Sequence, residues 1–408
     1  MKIYLSDLQK SYLLGNDNSC TRLNAYAYFE YEFSFDISKL QYAINKIIAK
    51  HPILRAAVDS CETLTVQDDM EEFGLNLFDF TNLRIEDKIN LFLKEGKNFK
   101  QGYLFDINIS DYENPKLGLI FSILISDIET QKQIYNDLIY FYNCDAITPD
   151  CKNNLDVSSV FNFDDLKKSP LYSKSKFFWD EKLNSLSNFP KIPNFENSTS
   201  TGDKILRKSK ILSPDTLHSL IAIGRKNNVS IPSLIYTVYA KSLSDCLGTK
   251  RFYLPMLFDK RKFYKIKNNI AGNFSDLILL EFDFGTEEDL FDKIRKTQRD
   301  FWSKIENCYY SGVEVVNDIN IRNEVKKFNL IPFLISINTD FKNDNQFNFE
   351  HNSMVFSTIQ RPNVLLDLQV NQNRLGTEIV FYYQSGVFTE VLVDNILNDL
   401  IINIDSIE

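Results

Sequence analysis

The run Leu117–Ile125, LGLIFSILI, is apolar on both of its strand faces. A strand of that kind has to be covered on both sides, so it calls for the middle of a sheet with further layers above and below. It is about half of the ~20 residues that a bilayer-spanning helix needs, which excludes a membrane span at the most apolar point of the chain. At Asp127 the pattern switches, and ETQKQIYNDLIYFYN returns to helical spacing through Ile134, Leu138 and Phe141.

The same alternation of periods runs along the rest of the chain. LSDLQKSYLLG reads as a short helix with Ser6 as N-cap and a stop at Gly15. AYAYFEYEFSF, from Ala25 to Phe35, alternates as a half-buried strand does. In ISKLQYAINKIIAK the residues Leu40, Ala43, Ile44, Ile47 and Ile48 form one helical stripe, which Pro52 closes. A further strand is expected at Tyr103–Ser110.

Later in the chain, LYSKSKFFWDEKLNSL is amphipathic, and SPDTLHSLIAIGRKNN starts with Ser213 as N-cap and Pro214 at the first helical position. Strands fit RFYLPMLFD, FSDLILLEFDF, IPFLISINTDF, NVLLDLQVNQ and TEIVFYYQ. Between Cys144 and Pro170 periodicity is lost and Asn, Asp and Ser gather, which marks a crossing between lobes. A length of 408 residues suits two cores, and both halves mix strands and helices. The expected fold class is therefore α/β (α+β) in two lobes, 1–165 and 166–408.

Hydrophobic residues make up 44% of the chain and charged residues 25%, the balance of an ordinary globular protein. The formal net charge of -9 excludes a broad footprint for nucleic acid. The basic stretches KILRKSK (Lys204–Lys210) and DKRKFYKIK (Asp259–Lys267) read as solvated loops, with an acidic partner or a phosphate as the alternative. Six cysteines without a CxxC pair and three scattered histidines form neither a zinc site nor a disulfide framework, so a reducing cytoplasm is expected. The N-terminus has no signal-peptide pattern, which agrees with a protein that keeps away from membranes.

Motifs for dinucleotide binding, phosphate cradling, serine hydrolysis and zinc hydrolysis are missing. What remains are polar side chains on apolar strands. By the period of two, Asp367 and Gln369 share one face of NVLLDLQV, while Leu366 and Leu368 take the other. Ser336 and Asn338 share a face of FLISIN in the same way. A carboxylate on an apolar strand is costly unless it is paired or functional, so Asp367 is either a hydrogen-bonded structural residue or a site residue.

These stretches, in this order, resemble the condensation domain superfamily of nonribosomal peptide synthetases, and within it the heterocyclization branch. LSDLQKSYLLG is similar to the opening motif of that branch, INKIIAKHPILRA to its second, and QGYLFDINIS to its PLFDI segment. SPLYSKSKFFWDEKLNSL resembles the helix that enters the second lobe. IAGNFSDLILLEFD is similar to GDFTS with LLEVD, YYSGVEVV to SGVxVL, and TIQRPNVLLDLQ to QTPQVxLDxQ.

The resemblance implies two chloramphenicol-acetyltransferase-like lobes in a V with a central tunnel. Peptidyl or aryl carrier proteins would bring substrates on phosphopantetheine arms, with no bound cofactor and a monomeric protein. An acyl thioester would condense with a Cys, Ser or Thr, and cyclodehydration would give a thiazoline or oxazoline. With both lobes filling the chain, the domain would stand alone and act on carriers in trans.

Where condensation domains carry HHxxxDG and heterocyclization domains DxxxxD, this chain reads SILISDI, with Ser122 and Ile123 first and Asp127 kept. Asp127 would then be a structural residue paired with Lys260 or Arg261 from the second lobe. The dehydration pair of the family maps onto Ser336 and Asp367, with Gln369 steadying the site. Ile123 in place of the histidine argues against ordinary His-assisted amide formation, and Ser122, NFSD (Asn273–Asp276) in place of DFTS, and Ser336 also suit a partly degenerate domain that binds carriers without catalysis, or one with an altered acyl transfer.

Overall fold

The computed structural model describes residues 2–14, 25–32, 36–67, 73–80, 83–110, 115–144, 163–184, 188–192, 205–261, 263, 270–324, 330–338, 353–361, 363–373 and 376–407. They form two compact units. The first comprises Met1–Phe163, Asp259–Ser275 and Asn348–Arg361, and the second Asp164–Phe258, Asp276–Phe347 and Pro362–Glu408.

The first unit opens with β1 (Lys2–Tyr4), α1 (Asp7–Leu14), β2 (Tyr26–Glu32), α2 (Ile37–Lys50), β3 (Ala56–Val58), β4 (Thr63–Val66) and β5 (Asn76–Phe78). It continues with α3 (Ile85–Glu95), α4 (Lys97–Lys100), β6 (Phe105–Ser110), β7 (Lys116–Ser122) and α5 (Ile128–Asn143). A capping box starts α1, with the Gln9 N–H donating to Ser6 Oγ and the Ser6 N–H to Gln9 Oε1. Gly15, where this helix was expected to stop, lies outside the described residues.

The apolar run from Leu117 supplies β7, which lies third in a five-stranded sheet of order β12-β2-β7-β6-β5, with β12 spanning Ser353–Gln360. Leu117, Leu119, Ile120 and Phe121 are all buried, as a central strand requires. The strand β12 (Ser353–Gln360) pairs antiparallel with β2 although more than 300 residues separate them. The predicted stripe Leu40, Ala43, Ile44, Ile47 and Ile48 is the buried face of α2. Asp137 of α5 ties α2 down through Lys50 Nζ and His51 Nε2, each at 2.7 Å.

In the second unit the order is α6 (Pro170–Asn184), β8 (Ile205–Leu212), α7 (Pro214–Asn227), α8 (Ile231–Leu247), β9 (Arg251–Asp259) and β10 (Ser275–Asp283). Then come α9 (Leu290–Ile305), α10 (Gly312–Arg322), β11 (Ile331–Ile337), β13 (Val364–Asn373), β14 (Gly376–Gln384) and α11 (Glu390–Asp405). Six strands join in the order β10-β9-β11-β13-β14-β8. β13 runs parallel to β11 and antiparallel to β14, and β8 closes the edge antiparallel to β14.

The structure departs from the sequence-based expectation at two points. KILRKSK is largely the edge strand β8 and not a solvated loop. Lysines suit such an edge because they discourage pairing with a further strand. Cys61 is disulfide-bonded, against the expectation that the thiols stay reduced, whereas Cys144, Cys246 and Cys308 are free.

Candidate active site

The sheet of the second unit has two unlike faces. Leu366 and Leu368 of β13 share one with Phe381 of β14, whose ring lies 5.7 Å from that of Tyr239 on α8. The opposite face carries Asp367 and Gln369. Cross-strand partners point to the same side, so the register extends this second face through Leu334 and Ser336 on β11, and through Tyr382 and Val380 on β14.

Asp367, Gln369 and Ser336 are 3%, 1% and 2% exposed, so none of them is a solvated surface residue. Gln369 Nε2 donates to Asp367 Oδ2 at 2.9 Å, which holds the carboxyl in one orientation. Ser336 lies opposite Gln369, diagonal to Asp367, and its buried Oγ has no hydrogen-bond partner among the described residues. A buried hydroxyl in that state retains its full capacity to bind a guest atom. Burial pushes the Tyr239 phenol well up, and the Asp367 charge adds to the shift. The sequence-derived trio is thus assembled on one sheet face.

Sequence reasoning passed over a second polar group on that face. Tyr382 pairs in register with Asp367 on one side and with Arg207 of β8 on the other. Arg207 donates to Glu378 Oε1 at 2.6 Å and to Ser209 Oγ at 3.0 Å. Burial opposes the Arg207 charge, but Tyr382, by charge and hydrogen bond, and Glu378 more than offset it, so its pKa is raised.

The residues around the opening turn lie in the first unit. Asp127 caps α5 by accepting from the Thr130 N–H at 2.9 Å, and its oxygens receive Arg261 Nη1 at 2.6 Å and Nη2 at 2.9 Å. The Phe274 N–H adds a further bond at 2.8 Å. Arg261 also donates to Thr130 Oγ1 and Gly272 O, and its guanidinium lies 4.5 Å from the Phe274 ring centre. Arg261 is therefore the partner of Asp127 in this pair, inside the first unit. Lys260 is buried beside it, and its backbone N–H bonds Phe274 O.

Ser122 Oγ donates to Ala25 O and accepts from the Leu124 N–H, which fixes the turn after β7. Ile123 is buried, with its carbonyl accepting from Asn273 Nδ2. At this turn the structure offers hydrogen bonds that hold the backbone and a salt bridge that holds a helix. It offers no imidazole.

A family model for the condensation domain matches residues 1–407, and the chain belongs to the condensation domain family. Bacitracin synthase 1 of Bacillus licheniformis is 22% identical over 425 residues, a match that covers 97% of this chain and 8% of that protein. Phenyloxazoline synthase MbtB of Mycobacterium tuberculosis is 21% identical over 228 residues, covering 55% of this chain and 16% of that protein. The chain thus spans a small part of the curated relatives it matches.

Among solved structures, the EpoB cyclization-docking bidomain from Sorangium cellulosum gives a TM-score of 0.81 at 20% identity, covering 99% of this chain and 84% of that one. The nonribosomal peptide synthetase FmoA3 gives 0.80 at 18% identity, covering 99% and 42%. These likenesses establish the mixed α/β fold of synthetase condensation domains. Among the described residues no helix is long and apolar enough to cross a membrane.

Proposed function

We propose that this domain carries out heterocyclization: it joins an acyl thioester held by one carrier protein to a Cys, Ser or Thr held by another, and closes a thiazoline or oxazoline ring with loss of water. One observation carries the reading, the buried Asp367 carboxyl steadied by Gln369 beside the Ser336 hydroxyl, which has no hydrogen-bond partner among the described residues. The printed names of the relatives, a cyclization bidomain and a phenyloxazoline synthase, agree with it.

The chemistry follows from what a carboxyl can exchange. After the amide forms, the acceptor side chain adds to its carbonyl carbon and leaves a ring carbon that bears both a hydroxyl and the ring nitrogen. To finish, the C–O bond breaks, a C=N bond forms, the hydroxyl leaves with an added proton as water, and the nitrogen loses its proton. Asp367 delivers the first proton as the acid and takes the second as the carboxylate, so it ends as it began. Ser336 Oγ hydrogen-bonds the departing oxygen and keeps it in line.

Ile123 and the turn bonds of Ser122 favour a second reading, a domain that binds carriers and forms no bond. Intact-protein mass spectrometry separates the two, using an acyl-loaded donor carrier, a Cys-loaded acceptor carrier, and wild type against Asp367→Ala. Acyl transfer followed by loss of one water, with the water loss absent in the variant, is the expected result. Transfer without water loss in wild type leaves condensation alone. No transfer from any of several acyl donors by folded protein favours carrier binding.

A further inference from the structure

Resting on that reading, we propose that Asn338 and Asn371 form a binding site for a secondary amide of the substrate, carried in the chain attached to the reacting carbon. The period of two places Asn371 on the face of β13 that holds Asp367 and Gln369. Asn338 follows Ser336 in the same way, one step past the paired residues Ile337 and Val370, and its backbone N–H bonds Val370 O at 2.8 Å. The two carboxamides meet across the strands, with Asn338 Nδ2 donating to Asn371 Oδ1 at 2.7 Å.

Each carboxamide brings one carbonyl oxygen and one amino group. A single bond between two of them leaves a carbonyl and an amino group over, whichever way each amide is turned. Asn338 Oδ1 and Asn371 Nδ2 have no hydrogen-bond partner among the described residues, and both side chains are only half-buried, so a guest can reach them. An open acceptor beside an open donor is the complement of a secondary amide, which needs one of each. Both groups are neutral, and Glu378, opposite Asn371 in register, is engaged by Arg207 at 2.6 Å. The pair therefore favours an amide over a phosphate or an ammonium group.

Its position suits a chain that ends at Asp367. Asparagine is depleted in strands, so strand propensity does not account for Asn371 within β13. Asp367 and Gln369 are almost wholly buried, and exposure rises along the same strip to Asn371 and Asn338. At about 3.3 Å per residue, the pair lies about 7 Å beyond Ser336 and about 13 Å beyond Asp367. That is roughly two to four residues of extended chain. An amide held there fixes the chain at a second point and orients the reacting carbon before the ring closes. Such an amide comes from a peptidyl donor or from the pantetheine arm of a carrier.

Isothermal titration calorimetry with three thioesters separates these sources. The S-propyl thioester of N-acetyl-triglycine has amides on the acyl side alone, hexanoyl-S-pantetheine has them on the arm alone, and hexanoyl S-propyl thioester has none. The proteins are wild type, the double variant N338L/N371L, and Asn371→Asp, which keeps an acceptor for Asn338 Nδ2 and removes the open amino group. At least one amide-bearing probe is expected to bind about tenfold more weakly to N338L/N371L and about threefold more weakly to Asn371→Asp, the worth of two neutral hydrogen bonds and of one. The amide-free probe binds all three proteins alike. Weakening of the triglycyl probe assigns the site to a peptidyl donor, and weakening of the pantetheine probe assigns it to the arm.

Equal binding of both amide-bearing probes by the three proteins overturns the proposal. So does a loss shared by the amide-free probe, or no binding to wild type. Binding is read without turnover, so the two readings fail separately. Wild type that transfers no acyl group sinks heterocyclization alone, whereas wild type that forms the ring without amide-dependent binding sinks the amide site alone.

Discussion

Replacing Asp127 tests whether the retained half of the SILISDI stretch is architecture. Both side chains of the Asp127–Arg261 pair are 3% exposed, so solvent screens the pair little. Removing the carboxylate in Asp127→Ala leaves the buried guanidinium with its longer ion pair to Asp259 at 3.3 Å, which costs about 3 kcal/mol, the low end for loss of a buried partner. The α5 cap goes with it, worth about 1 kcal/mol. Phe274 loses a hydrogen bond as well. These effects share one group and do not add fully, so about 4 kcal/mol is expected, a large part of a typical stability margin.

Asp127→Asn keeps a cap oxygen and loses the charge, which gives about 3 kcal/mol. Adding Arg261→Met to Asp127→Asn removes a buried cation that has lost its nearer carboxylate and recovers part of that loss, because an apolar replacement of a buried pair is often neutral. Trp179 and Trp302 both belong to the second unit, so their fluorescence is the wrong probe. Hydrogen exchange of peptides spanning 116–143 and 270–275 reads the first unit directly. Protection in Asp127→Asn equal to wild type, or a double variant worse than both single variants, refutes the reasoning.

Asp106 is fully buried and accepts from Asn76, from Asn98 twice, and from the Phe99 and Ile107 N–H groups, yet burial outweighs these donors and raises its pKa to about 6. Its folded pKa lies above the unfolded value of about 4, so the fold prefers the protonated form; this contribution is full below about pH 4 and declines by about 3 kcal/mol as pH rises to just above 6. The midpoint difference between wild type and Asp106→Asn in urea should therefore change between pH 4 and 6 and stay level above 7. At Gly312, the first residue of α10, an added Cβ would lie 2.1 Å from Leu277 O, and neither backbone can yield. Gly312→Ala should destabilise the second unit by about 3 kcal/mol or more, read as lowered thermal unfolding. Ser311→Ala removes the capping box and the bond to Asp276, and a loss of about 1–2 kcal/mol is expected in the same assay.

Local patterning carried most of the elements, because a stripe such as Leu40 to Ile48 is decided within one helix. It failed where the deciding contact is distant or the face is mixed. Basic residues fall on both faces of β8: Arg207 looks toward Tyr382, while Lys208 meets Glu390 and Asp394 near α11. No alternation survives that placement, so the stretch reads as a loop. β12 is recognised only beside β2, and no local signal announces a partner from the other end of the chain.

The candidate site shows the same limit at higher resolution. Asp367 and Gln369 stand out because two polar residues at spacing two interrupt an apolar strand, and the cost of burying a carboxylate makes the interruption meaningful. Tyr382 gives no such sign, since a tyrosine within IVFYYQ is ordinary core composition. Its meaning comes from the register, which sets it between Asp367 and Arg207. A one-residue slip of β14 would turn Tyr382 to the helix-covered face and bring Phe381 or Tyr383 beside Asp367 instead. The chemistry open to this face therefore depends on strand register as much as on which residues are present, and register is held by pairings that no single stretch of sequence contains.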